Sequence, residues 1–144
     1  TLNVEVADDG SGMDAVTLSR VLDPFFTTKK KKTGLGLPLL AQAAEQAGGH
    51  LKVDSTPGSG TTVTALFRWG HVDRPAMGNM AETLLALIAG HATIDFSYVE
   101  REGEWIFRFD TREIKHELED VPINAPDVMR VIRNMLHEQM KIGI

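Results

Sequence analysis

Asp8-Asp9-Gly10-Ser11-Gly12-Met13 follows a stretch in which Leu2, Val4 and Val6 alternate with Asn3, Glu5 and Ala7. A period of two reads as a strand with one apolar face. This strand runs straight into the Asp-Gly turn. Further on come Leu22-Asp23-Pro24-Phe25-Phe26-Thr27-Thr28-Lys29, then Thr33-Gly34-Leu35-Gly36-Leu37, then Pro57-Gly58-Ser59-Gly60-Thr61-Thr62. A single glycine pair is a weak signal. Four such pieces in this order decide the reading.

The residues between them fill in the elements. Asp14 suits an N-cap for a short helix through Val16, Leu18, Val21 and Leu22, ended by Pro24. Residues 25–34 form a polar, lysine-rich loop. A helix fits residues 37–47, with Pro38 in its first turn, where a missing N–H costs nothing. Gly48-Gly49 stop it. Leu51 and Val53 mark a strand, residues 57–60 a turn and residues 61–69 a second strand, which together read as a hairpin.

Bulk composition sets outer limits. The chain has 144 residues, 42% hydrophobic and 24% charged, as expected of one domain or of a domain with an extension. It contains no cysteine, so it has no disulfide and no thiolate metal ligand. That fits a reducing compartment, and a cytoplasmic location is expected. No apolar run approaches the length of a membrane span, so no membrane partner is expected. A net charge of -5 argues against general nucleic-acid binding. Residues 1–70 carry seven basic and seven acidic side chains, against eight and thirteen in residues 71–144. The first half is therefore neutral enough to accept an anionic ligand.

The glycine boxes together resemble the second half of the ATP-binding domain of sensor histidine kinases. That domain has the Bergerat fold, shared with gyrase, mismatch-repair and heat-shock chaperone ATPases. The resemblance implies an α+β architecture, a Bergerat-type α/β sandwich, and a set of nucleotide-binding residues. Asp8 takes the place of the family's adenine-reading Asp, which accepts a hydrogen bond from the exocyclic amine. A carboxylate offers only acceptors, and such a bond contributes about 1.5–3 kcal/mol. Gly10 and Gly12 let backbone approach the base, and Met13 packs on the ring. Asp9 points the other way along the extended segment and faces solvent.

Asp23 to Lys29 resembles the family's phenylalanine box, with Asp23 in place of the usual Glu. Phe25 and Phe26 would anchor the core or lid, and Lys29 would meet phosphate. Thr33, Gly34, Leu35, Gly36 and Leu37 resemble the second glycine box. Its glycines and the following helix N-terminus suit phosphates, since free N–H groups and about half a positive charge collect there. Lys32 and Pro38 depart from the family pattern. Lys32 adds charge, and Pro38 removes one donor. Lys30 and Lys31 read as solvated. Thr61 would sit beside Asp8 and hydrogen-bond near the adenine, often through water.

The family's opening helix, with its E-x-x-x-N box, is not found. Asp120-Val121-Pro122-Ile123-Asn124 has the spacing, but Pro122 forbids the helical turn. Mg²⁺ is therefore expected as a cofactor only where that helix is present. The chain is expected to be a fragment or to omit an N-terminal segment. His50, His71, His91, His116 and His137 show neither metal-ligand spacing nor a phosphoacceptor setting, so no metal site and no autokinase activity are expected. Catalytic residues stay unassigned.

Composition changes at Gly70-His71-Val72-Asp73-Arg74-Pro75, giving expected domains of 1–70 and 71–144. In the second, Asn79 with Glu82 suggests a capping box for a helix to about Ala89. Strands are expected over 94–100 and 104–109 around Arg101-Glu102-Gly103. Asp110 with Glu113 suggests a second box for a helix to about Leu118, and Pro126 opens a last helix. His71 to Met80 and Phe109 to Ile114 resemble small stand-alone ATPase-like proteins encoded beside bacterial iron-only hydrogenases. That resemblance implies a redox complex or a regulator as protein partner. The leading expectation is adenine-nucleotide binding, ATP or ADP, with a regulatory role. The alternatives are an interaction module that binds no nucleotide, and a severed catalytic half of a sensor kinase.

Overall fold

The computed structural model describes residues 1–23 and 35–141, so the lysine-rich loop, with Phe25, Phe26 and Lys29 to Gly34, lies outside the described residues. The chain divides into two compact units, Thr1–Pro75 and Ala76–Ile144. Both are α+β with antiparallel sheets, as the sequence pattern predicts.

In the first unit, β1 (Leu2–Asp8), β2 (His50–Thr56) and β3 (Gly60–Phe67) form one sheet in the order β1-β3-β2. α1 (Ala15–Arg20) and α2 (Gly36–Gln46) complete it. Asp14 caps α1 by accepting the Thr17 N–H at 2.7 Å, and that bond holds its carboxyl below the ordinary carboxylate range. α2 ends in a Schellman motif. Gly48 sits at φ +74° with its N–H on the Glu45 carbonyl at 3.0 Å, and the Gly49 N–H reaches the Ala44 carbonyl at 2.8 Å. A Cβ on Gly49 would lie 1.8 Å from the Leu66 carbonyl oxygen, so the helix end packs backbone to backbone against β3. The core is small: Ala44, Ala47, Ala65 and Phe67, flanked by Leu2, Val4, Leu40, Ala43 and Leu51.

The β2–β3 connection is Pro57-Gly58-Ser59. Ser59 N–H bonds the Thr56 carbonyl at 3.0 Å, with Pro57 at the second turn position and Gly58 at φ +78° at the third. That is the residue pattern of a type II turn.

The second unit contains α3 (Met80–Gly90), the hairpin β4 (Ser97–Glu102) and β5 (Trp105–Asp110), α4 (Thr111–Leu118) and α5 (Pro126–Gln139). Its core gathers Leu84, Leu85 and Ile88 of α3, Phe107 and Phe109 of β5, Ile123, and Ile132 and Leu136 of α5. Asn79 accepts the Glu82 N–H at 3.0 Å, as a cap should, but the Glu82 carboxylate does not return the bond. It turns to His137 at 3.0 Å and Arg133 at 3.3 Å on α5, tying the two helices together. The second expected box also differs. Asp110 accepts the Arg112 N–H at 2.9 Å, and its carboxyl is held down to about 2 by the Arg112 guanidinium and that backbone bond.

The hairpin turn falls at Gly103-Glu104, later than Arg101-Glu102-Gly103, because Glu102 pairs directly with Trp105. Two-residue loops need positive φ at the first position, and Gly103 supplies it at φ +59°. Strand structure starts only at Ser97, because Phe96 is held by Thr111. The Phe96 N–H donates to the Thr111 hydroxyl at 2.8 Å, and the Thr111 N–H to the Phe96 carbonyl at 2.9 Å. Glu100 points into the core, 3% exposed, and accepts from the Tyr98 hydroxyl at 3.0 Å and the Lys141 N–H at 2.8 Å. Burial, then that carboxylate, pushes the Tyr98 phenol above its ordinary range.

Glu119, after α4, is the one non-glycine residue with positive φ among the described residues, at φ 53° and ψ -109°. A side chain costs about 1–2 kcal/mol in such a conformation. Glu119→Gly is therefore expected to raise the stability of the second unit by about 1 kcal/mol. Urea denaturation checks this, and an unchanged or lower midpoint would refute it.

Candidate functional site

Strand register builds the site. Residues two apart on a strand share a face, and the pairings align four rows across the sheet. Leu2 faces Phe67. Val4, Ala65 and Leu51 form the next row, then Val6, Val63 and Val53, then Asp8, Thr61 and Ser55. Core residues of α2 pack with the first two rows. The valine row is more open, with Val6 66% exposed. The last row is polar. One face of the sheet therefore passes from closed core, through an accessible apolar step, to three hydrogen-bonding side chains. The opposite face is mostly polar and solvated, with Lys52 and Asp54 paired at 3.2 Å.

The polar row is wired together. Ser55 Oγ accepts the Met13 N–H at 2.8 Å, lies 2.8 Å from Thr61 Oγ1 and 3.1 Å from the Gly60 carbonyl oxygen. Asp8 Oδ1 accepts the Gly10 N–H at 2.9 Å. Among the described residues, Asp8 Oδ2 has no hydrogen-bond donor, and the whole residue is exposed. One carboxylate oxygen thus holds the turn, on an exposed residue at the end of the valine step.

The glycines have reasons of their own. A Cβ on Gly10 would stand 2.9 Å from Asp8 Oδ1, so glycine lets the carboxylate fold over its own turn. Gly12, at φ +68°, has its Cβ direction 2.0 Å from the Thr56 carbonyl oxygen. Gly60, at φ +114°, points 1.9 Å from the Asp8 carbonyl oxygen. The Gly58 N–H also donates to the Ser11 carbonyl at 2.7 Å. The first glycine box and the hairpin turn are therefore clamped backbone to backbone. Gly12 serves that clamp, a packing reason separate from room for a base.

Leu35, Gly36 and Leu37 open α2. Leu35 is the N-cap without a side-chain hydrogen bond, and among the described residues nothing lies within 4 Å of a Cβ placed on Gly36. No hydrogen bond joins these residues to the polar row, and Lys29, Thr33 and Gly34 lie outside the described residues. The structure thus brings Asp8, Gly10, Gly12, Met13 and Thr61 into one cluster. Ser55 belongs to it and was missed. Its signal was available, since pairing Thr56 with Gly60 across the turn forces Ser55 opposite Thr61. Among the described residues no group of His, Asp or Glu is arranged to hold a metal ion, and no helix is long and apolar enough to cross a membrane.

Residues 1–71 match the family profile described as Histidine kinase-, DNA gyrase B-, and HSP90-like ATPase. The chain is similar to sensor histidine kinase ZraS of Klebsiella oxytoca, 43% identical over 63 residues. It is also similar to a putative sensor protein of Shewanella frigidimarina, 35% identical over 72 residues, and to sensor kinase CckA of Brucella abortus, 47% identical over 60. These matches cover 44%, 49% and 40% of this chain but only 14%, 11% and 6% of the relatives. Residues 1–71, just under half of the chain, are thus similar to the ATPase domain that this profile describes, and the chain spans about a seventh or less of these relatives' length.

Proposed function

We propose that the first unit binds an adenine nucleotide, ATP or ADP, and that the bound state regulates a protein partner. One observation carries this most directly: the polar row Asp8–Thr61–Ser55 stands at the end of an accessible valine step. A purine needs an apolar surface for its ring and oriented polar groups for its edge. Asp8 reads the exocyclic amine, and Val6, Val63 and Met13 offer apolar surface for the ring. Thr61 serves the edge. Leu35, Gly36 and Leu37, with Lys29, Thr33 and Gly34, receive the phosphates. Mg²⁺ enters with the family's Asn-bearing helix. Domain limits of 1–70 and 71–144 go with this reading.

The partner is a protein. Thirteen acidic against eight basic side chains in residues 71–144 suit a basic face. The resemblance to proteins encoded beside iron-only hydrogenases favours a redox complex, in the cytoplasm. With no cysteine in the chain, any cluster chemistry belongs to that partner. The competing reading is an interaction module without a nucleotide.

Calorimetric titration separates the two. ATP and ADP are expected to bind, with GTP at least about ten-fold weaker, the value of one mismatched hydrogen bond to a charged group. No binding of ATP would leave the interaction module.

A further inference from the structure

Ser55 Oγ stands at a branch point. It has one proton to donate and accepts the Met13 N–H at 2.8 Å. Two acceptors compete for that proton, the Gly60 carbonyl at 3.1 Å and Thr61 Oγ1 at 2.8 Å. The choice fixes what Thr61 shows to its surroundings. If Ser55 donates to Gly60, the Thr61 hydroxyl donates back to Ser55 and presents lone pairs outward. If Ser55 donates to Thr61, the Thr61 proton is free to point outward.

The two purines ask for opposite arrangements. Adenine carries a donor at its exocyclic amine and an acceptor at N1. Guanine carries an acceptor at O6 and a donor at N1. With Asp8 accepting from the amine, the neighbouring group must donate toward N1, directly or through water. We propose that Ser55 is a positioning residue for adenine recognition. Its hydroxyl donates to Thr61 in the bound state and so turns the Thr61 proton toward the base. This rests on the adenine reading above and adds a residue that the glycine boxes do not contain. Ser55 need not touch the nucleotide. It is half-buried in β2, while Thr61 lies across from Asp8 in the sheet.

The test is a cycle in the whole 144-residue chain, using Ser55→Ala, Thr61→Val and the double variant, each checked for folding by circular dichroism. ATP and GTP are the titrants. Ser55→Ala is expected to weaken ATP about five-fold, a typical hydrogen-bond contribution, and to narrow the ATP-to-GTP ratio. Ser55→Thr, which keeps the hydroxyl, should stay within about two-fold of wild type. In the Thr61→Val background Ser55→Ala should narrow the ATP-to-GTP ratio no further, because no proton remains to be turned.

A purely structural role would give the same loss in both backgrounds, and that result overturns the proposal. So does a Ser55→Ala protein with the wild-type ATP-to-GTP ratio, which leaves the adenine reading standing. Absence of ATP binding by the wild type removes both.

Discussion

Gly60→Val is expected to destabilise the first unit by about 2–5 kcal/mol and to abolish nucleotide binding. Two costs combine. A side chain at φ +114° is strained, by about 1–2 kcal/mol. Its Cβ would also sit 1.9 Å from the Asp8 carbonyl oxygen. Backbone cannot swing aside as a flexible side chain can, so β1 and β3 must part at the Asp8–Thr61 pair, and such overpacking costs about 1–3 kcal/mol. Gly58 is the control. It too has positive φ, at +78°, but among the described residues nothing lies within 4 Å of its Cβ position, so Gly58→Ala should cost only the backbone part. Chemical denaturation with hydrogen exchange along β1 measures both. Equal losses for the two variants would show that the Gly60 clamp has no energetic weight.

Local chemistry explains what could be read in advance. The strand at Leu2, the caps at Asp14 and Asn79 and the Gly48-Gly49 stop each follow from one or two residues and their backbone preferences. They stand where the sequence pattern places them. Side-chain partners were less legible. Glu82 and Glu113 both have capping-box spacing. Yet Glu82 turns to Arg133 and His137, which are distant in sequence, while Asp110 finds its partner in Arg112. Long-range charge partners are invisible to spacing rules. The β4–β5 turn falls at Gly103-Glu104, so of the expected Arg101-Glu102-Gly103 only Gly103 lies in it. Polarity marks turns only loosely, whereas Gly103 marks the position where φ must be positive.

At the site, the family pattern gave the residue types but not their reasons. Gly12 and Gly60 belong to a clamp between box and hairpin, which only the register reveals. Ser55 carries no motif at all. It enters through its place opposite Thr61.

Asp8 offers the sharpest single substitution. Its Oδ1 holds the Gly10 N–H at 2.9 Å, and the amide oxygen of Asn can keep that bond. Asp8→Asn should therefore fold with little loss of stability. The other oxygen becomes an NH₂ group, so the acceptor proposed to meet the adenine amine becomes a donor. A lost hydrogen bond to a charged group is worth about 1.5–3 kcal/mol, which corresponds to roughly 10- to 100-fold in affinity. The direct measurement is calorimetric titration of ATP into wild type and Asp8→Asn at equal folded concentration. A 10- to 100-fold weaker variant, with its preference for ATP over GTP gone, is the predicted result. Equal ATP affinity for the two proteins would contradict the account and take Asp8 out of the site.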